Sequence, residues 1–277
     1  MKKRFVLGIA LLLIFAVFVG GCGTSTKANN SSAPTAQQST LEKVLKTKQL
    51  TVACALTFPP FGSKDASGKP AGYDVDLANE LAKSLGAKLT IIDVTSANRI
   101  PYLETGKADI VMADFTRTLE RAQKIDFTDP YVVAGETLLV KKGSGIKGIT
   151  DLKGKTVAVV KGGTGSIAVR QYVPDATISL LDTAADCVMA VKNGQADAYA
   201  EDSNLVIYSA KQNPELEAVG DSLVPPEFNA FGVRKNDQEW LNYVNLFVFE
   251  MNRTGKNQEL YKKWFGAKLP YELNPGF

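Results

Sequence analysis

The sequence predicts an α/β fold of two lobes, each a mainly parallel sheet flanked by helices, and three observations lead there. Short β-rich runs alternate with helical patterns from residue 50 onward, the signature of sheets covered by helices. One pattern occurs twice: Leu103-Glu104-Thr105-Gly106-Lys107-Ala108-Asp109-Ile110 and Val191-Lys192-Asn193-Gly194-Gln195-Ala196-Asp197-Ala198. Each reads as a helix end, a glycine stop, a small-Asp step and a new strand. Both strands then finish at carboxylates, Asp114 in one and Glu201-Asp202 in the other. Ligands in open α/β sheets bind beyond the carboxyl ends of strands, so two such halves suggest a shared cleft.

Taken in chain order, Lys2, Lys3 and Arg4 begin the sequence, and an uncharged apolar run follows from Phe5 to Val19. That run is short for a membrane span, which needs about 20 apolar residues. Its layout is that of a secretory signal over residues 1–21. The ending Val19-Gly20-Gly21-Cys22 resembles the bacterial lipobox, which implies lipidation (palmitate) of Cys22 and attachment to the outer face of the cell membrane. Residues 22–40 are rich in Thr, Ser, Asn, Ala and Gln, too polar to form a core, and read as a tether. A folded body is expected from Leu41.

The formal charge is +3, but the first 21 residues carry three bases and no acid, so the remainder is formally neutral. A neutral body argues against nucleic-acid binding, which rests on excess Lys and Arg. The sequence has no histidine, which removes histidine triads and the commonest metal ligand; no cofactor or metal is expected. Cys54 and Cys187 lie in apolar patterns far apart and read as buried free thiols.

Within the body, strands are predicted over 50–56, 89–93, 108–114, 137–141, 156–160, 196–200 and 231–234. The clearest helix places Val75, Ala78, Leu81, Ala82 and Leu85 on one face, with Asp74 as its N-cap and Gly86 closing it.

Nine short motifs then fall in one order. They are Phe58-Pro59-Pro60-Phe61, Gly72-Tyr73-Asp74-Val75-Asp76-Leu77-Ala78, Thr116-Arg117-Thr118-Leu119-Glu120-Arg121, Ile125-Asp126-Phe127-Thr128-Asp129-Pro130-Tyr131, Asp151-Leu152-Lys153-Gly154-Lys155, Lys161-Gly162-Gly163-Thr164-Gly165, Glu201-Asp202, Gly232-Val233-Arg234-Lys235 and Lys262-Lys263-Trp264-Phe265-Gly266. With these motifs the chain resembles the extracellular solute-binding proteins of the polar amino acid ABC transporter family. The resemblance implies a periplasmic-binding-protein-like fold joined by two crossing strands. Lobe one would comprise residues 41–130 and 231–277, lobe two 134–229, with hinge crossings at 131–133 and 228–230. It implies a monomeric binder, not an enzyme, that carries a free amino acid to an ABC permease.

The same resemblance assigns residues. Arg121 would grip the ligand α-carboxylate through its planar fork. Thr116 and the backbone of Gly163 and Thr164 would add donors, and Asp202 would accept from the α-ammonium. Read alone, the glycine turn is an ordinary strand-to-helix connection. Phe58 would pack on the apolar stem of the ligand. Arg99, Asp114, Lys161 and Glu201 fall at or beside side-chain-pocket positions, and two arrangements stay open. In one, Asp114 pairs with Arg99 and leaves a neutral pocket suited to Cys, Ser, Asn or Gln. In the other, Asp114 pairs elsewhere, for example with Arg117, and Arg99 with Lys161 receives Glu or Asp; this acidic ligand is the preferred expectation. The scaffold is also similar to certain periplasmic dehydratases, in which Glu201 or Asp114 would be the general acid.

Overall fold

The structure, a computed structural model, describes residues 38–269 and residue 273. The signal segment, Cys22 and nearly all of the expected tether lie outside the described residues. The body starts where the sequence places it. Helix α1 (Thr40–Thr47) is capped by the Ser39 hydroxyl. Its first residue is clamped by Asp237, which accepts from the Thr40 N–H (2.9 Å) and hydroxyl (2.6 Å) and from Arg234 (3.0 Å). Among the described residues no helix is long and apolar enough to cross a membrane.

After α1 the chain runs through β1 (Gln49–Cys54), a small hairpin of β2 (Ser63–Lys64) and β3 (Pro70–Ala71), α2 (Tyr73–Leu85), β4 (Lys88–Asp93), α3 (Arg99–Glu104), β5 (Ile110–Val111), α4 (Leu119–Ala122) and β6 (Ile125–Ala134). Next come β7 (Glu136–Lys141), β8 (Thr156–Val160), α5 (Gly165–Tyr172), β9 (Thr177–Leu181), α6 (Ala184–Asn193), β10 (Ala198–Asp202), α7 (Ser203–Gln212) and β11 (Leu216–Val219). The chain finishes with β12 (Glu227–Arg234), α8 (Gln238–Arg253) and α9 (Lys256–Phe265).

Two five-stranded sheets result, in the orders β4-β1-β5-β12-β6 and β11-β7-β10-β8-β9. The fold is the two-lobed α/β architecture expected. Parallel pairing holds in one half of each sheet, β4-β1-β5 and β10-β8-β9, where helices make the crossovers. The other half of each is antiparallel, because β6 and β12 run side by side and β7 lies between β10 and β11. β6 and β12 are the crossing strands. β6 passes through Gly135 straight into β7 of the second sheet, and β12 returns from that side with register shifts at Asn229/Ala230 and Ala230/Gly232.

Helix α2 buries Val75, Leu77, Ala78, Leu81, Ala82 and Leu85, and Gly86 ends it in the left-handed region (φ 57°). Asp74 is not its N-cap. Gly72 holds that place at φ 143°, where a Cβ would stand 2.2 Å from the Phe61 carbonyl oxygen. Asp74 sits inside the first turn, buried, and its carboxylate accepts from the Tyr131 hydroxyl (2.7 Å) and the Asp114 N–H (3.0 Å). These tertiary donors replace the helix N–H that a cap would have satisfied. Tyr131 in turn stacks on Tyr73 (5.7 Å) and Phe231 (4.4 Å), so a buried aromatic column backs the crossing strands. Cys54 and Cys187 are both buried and free.

Candidate functional site

The polar and charged groups gather at the carboxyl ends of β5 and β10, the start of β7, the turn after β8 and the first residues of β12. Thr118 caps α4 by accepting from the Arg121 N–H (3.1 Å), which turns the Arg121 side chain back over the Phe115 ring (5.0 Å to the centroid). Its guanidinium donates to the Thr116 carbonyl (2.6 Å) and the Gly162 carbonyl (2.9 Å). Two of the five N–H groups of an arginine are thereby engaged.

Arg99 is a different kind of residue. It is 3% exposed and also stacks on Phe115, 4.3 Å from the centroid. It donates to the carbonyls of Ser96 (3.1 Å), Ala113 (3.0 Å), Asp114 (2.7 Å) and Gly162 (3.1 Å). Burial, then the nearby Arg121 charge, brings its pKa down to about 9. Neither expected arrangement is present. Arg99 holds main-chain oxygens, not the Asp114 carboxylate, and Arg117 is exposed. Lys161 is exposed as well, with its N–H on the Leu181 carbonyl (2.8 Å). Of the two cations expected to receive an acidic side chain, Arg99 is held by backbone oxygens and Lys161 is exposed.

Arg99 is thus a tie between the ends of β5 and the turn after β8. Arg99→Ala is expected to cost about 2–4 kcal/mol, because it leaves buried carbonyls without donors. Scanning calorimetry should show a drop of about 5–15 °C. Affinity should fall alike for every ligand; a change of side-chain preference at an unchanged melting point would contradict this role.

The acids are more numerous than the sequence indicated. Asp202 is 2% exposed; its Oδ2 accepts from the Asn229 amide (2.7 Å), and Oδ1 has no partner among the described residues. The second N–H of that amide donates to Asp114, whose backbone is left-handed (φ 44°). Glu201 accepts from the Tyr199 hydroxyl (3.0 Å) and the Asp202 N–H (3.2 Å). Glu136, fully buried, takes the Thr164 hydroxyl (2.6 Å), which also lies 3.3 Å from Glu227. Oxygens of Glu136, Glu201 and Asp202 lie within 4.8 Å of one another.

Burial, then the Asp202 charge, pushes Glu201 up to about 8 and Glu227 to about 7. Burial likewise holds Glu136 and Asp114 well above the usual carboxyl range. For such groups the folded form binds protons more tightly than the unfolded chain. The stability they contribute is complete below the unfolded value, 4.5 for Glu201, and is lost as pH rises through about 8. The melting temperature of the ligand-free protein should fall between about pH 5 and pH 8.5. A melting point that rises across that window would contradict it.

The turn after β8 needs its glycines. Gly162 has φ 84°, and a Cβ there would be 2.8 Å from Ala97 on the 3-10 turn before α3. Gly165 is pressed against β10, with a Cβ position 2.4 Å from the Ala200 carbonyl oxygen. The Gly163 N–H does not point outward as an anion donor: it bonds the Val160 carbonyl (3.0 Å), closing the turn. The Thr164 hydroxyl donates to Glu136. Thr116 is buried, bridged to Asn229, and offers its carbonyl to Arg121. Phe58 is buried in the core of the first lobe, its backbone paired with Gly62.

The structure therefore brings together Arg99, Asp114, Thr116, Arg121, Gly163, Thr164, Glu201 and Asp202, and leaves Lys161 outside. Glu136, Glu227 and Asn229 join them and were not anticipated. A single acid between the apolar run ending at Gly135 and the strand starting at Thr137 was the available signal for Glu136; Asn229 had none beyond its place in a crossing.

Two sheets joined by crossing strands, with a buried set of opposite charges where they meet, define a cleft-type ligand-binding protein. A family model described as bacterial extracellular solute-binding proteins, family 3, matches residues 50–267, and the chain belongs to that family. It is 33% identical over 270 residues to the ABC transporter glutamine-binding protein GlnH of Bacillus subtilis (strain 168), covering 95% of this chain and 97% of that protein. Among solved structures it resembles the ancestral amino acid-binding protein AncCDT-1, a precursor of cyclohexadienyl dehydratase. That match has TM-score 0.78 and 40% identity, covering 82% of this chain and all of the other. An ancestral arginine-binding protein, solved with arginine and with glutamine, matches at TM-score 0.75 and 38% identity, over 79% of this chain and 99% of its own.

Proposed function

We propose that this chain captures a free L-amino acid between its lobes and presents it to the permease of an ABC importer, held at the membrane surface by a lipidated Cys22. The observation that carries the reading is the presence in one site of Arg121, with N–H groups to spare, and Asp202, whose Oδ1 is buried without a hydrogen-bond partner among the described residues. Burial raises the Asp202 pKa, and Arg121 is near enough to be among the groups that oppose that rise. A zwitterion supplies what each lacks: a carboxylate for the guanidinium fork and an ammonium for the carboxylate. Asn229, with Oδ1 also unpartnered, is placed to accept a second ammonium proton.

Lobe one is then residues 41–130 with 231–277, and lobe two 134–229, turning about 131–133 and 228–230. The relatives named for glutamine and arginine support amino acids as the ligand class. Thermal-shift screening against the twenty amino acids tests it, since a ligand at a hundred times its Kd adds about 2.7 kcal/mol to stability. No shift with any of them would overturn the reading.

The likeness to a dehydratase precursor favours a second reading, catalysis with buried Glu201 as acid. Incubating the protein with its ligand separates the two: a binder returns the amino acid unchanged, and turnover would establish the enzyme.

A further inference from the structure

We infer that the cleft is built for an amino acid with a cationic side chain, a guanidinium or ammonium seated on Glu136 and Glu201; this rests on the amino-acid reading above and names its substrate class. Charge is the first argument. Asp114, Glu201 and Asp202 are buried at 2–5% exposure, Glu136 is fully buried, and Glu227 adds a fifth carboxyl, against the two guanidiniums of Arg99 and Arg121. Burial keeps these acids largely protonated in the ligand-free protein, and each ionises readily only where a positive charge faces it. The α-carboxylate and α-ammonium of any ligand cancel each other, so only the side chain alters this imbalance. An acidic one deepens it, a neutral one leaves it, and a cation reduces it.

The second argument is an unmet bond. Glu136 Oε1 is occupied by the Thr164 hydroxyl, but Oε2 is buried with no partner among the described residues. Burying a carboxyl oxygen without a hydrogen-bond partner is costly, so it marks the place of one. Glycines, with no side chains of their own, border these oxygens. A Cβ on Gly165 would lie 3.6 Å from Glu136 Oε2, and one on Gly163 would lie 3.8 Å from Glu201 Oε2. One carboxylate oxygen each of Glu136, Glu201 and Asp202 lies within 4.8 Å of the others, so a planar fork can bridge two carboxylates.

Isothermal titration of the full-length protein with arginine, lysine, glutamine, cysteine, glutamate and calcium chloride tests this. Arginine or lysine should bind about 100-fold more tightly than glutamate and more tightly than glutamine or cysteine. Glu136→Gln should weaken arginine about tenfold or more while changing glutamine by less than about threefold. Tightest binding of a neutral or acidic amino acid overturns the inference and leaves amino-acid capture standing. Binding of none of the five amino acids or calcium overturns the inference, and a flat thermal-shift screen of all twenty beside it overturns the amino-acid reading as well. Calcium binding that Glu136→Gln abolishes, without amino-acid binding, makes the recess a metal site and overturns both as well. Circular dichroism checks that the variant folds; should it not, Glu201→Gln replaces it, and the wild-type ranking decides by itself.

Discussion

Arg121→Ala is expected to abolish measurable amino-acid binding. The fork offers the ligand carboxylate two charge-assisted hydrogen bonds, each contributing about 1.5–3 kcal/mol. Losing about 3–6 kcal/mol weakens Kd by about 10² to 10⁴, since each 1.4 kcal/mol is a decade. The guanidinium rests on Phe115 and is partly accessible, so the ligand-free variant should still fold. Arg121→Lys keeps the charge and loses the planar fork, and should fall between the two. Calorimetry that still finds tight binding in the alanine variant would show that the α-carboxylate is held elsewhere.

The second large effect is expected at Gly162. Its Cβ position stands 2.8 Å from the backbone of Ala97, and both Arg99 and Arg121 donate to its carbonyl. These are contacts between the two lobes. Gly162→Ala therefore inserts a methyl group where the lobes meet, and its positive φ adds about 1–2 kcal/mol of strain. Affinity should drop about tenfold or more for all ligands. Small-angle scattering should then find the variant more extended at saturating ligand than the parent; an equal radius of gyration and equal Kd would remove the steric argument.

What was legible in the residues follows from where their physics is local. β8 and the apolar face of α2 were read closely because each is a run of buried side chains with its own periodicity. β6 is absent from the strands that residue pattern alone predicts, since Asp126, Asp129 and Pro130 interrupt it; only the family resemblance puts a crossing strand at 131–133. It tolerates that proline as the edge strand of its sheet. β5 is shorter than expected because Asp114 leaves the extended region at φ 44°. The charged cleft was legible in kind and not in detail. The sequence tells that Arg99 is cationic; only the fold tells that four carbonyls consume its donors. Glu136 and Asn229 are distant in sequence and come together through the register of β7 on β10 and the path of β12.

Asp74 joins the Tyr131 hydroxyl on one crossing strand to the Asp114 backbone at the cleft. Those bonds, with the aromatic column behind them, make the rim carrying Asp114, Thr116 and Arg121 one stiff unit with the start of the crossing. Bending is left to what lies past Tyr131. On the proposed reading, the half of the cleft that would grip the carboxylate is assembled before any ligand arrives, and the half carrying Glu136, Glu201 and Asp202 would come to it. Capture would then have a sequence of events: the amino acid would land by its acid end on a ready-made surface, and its positive end would draw the opposite wall shut.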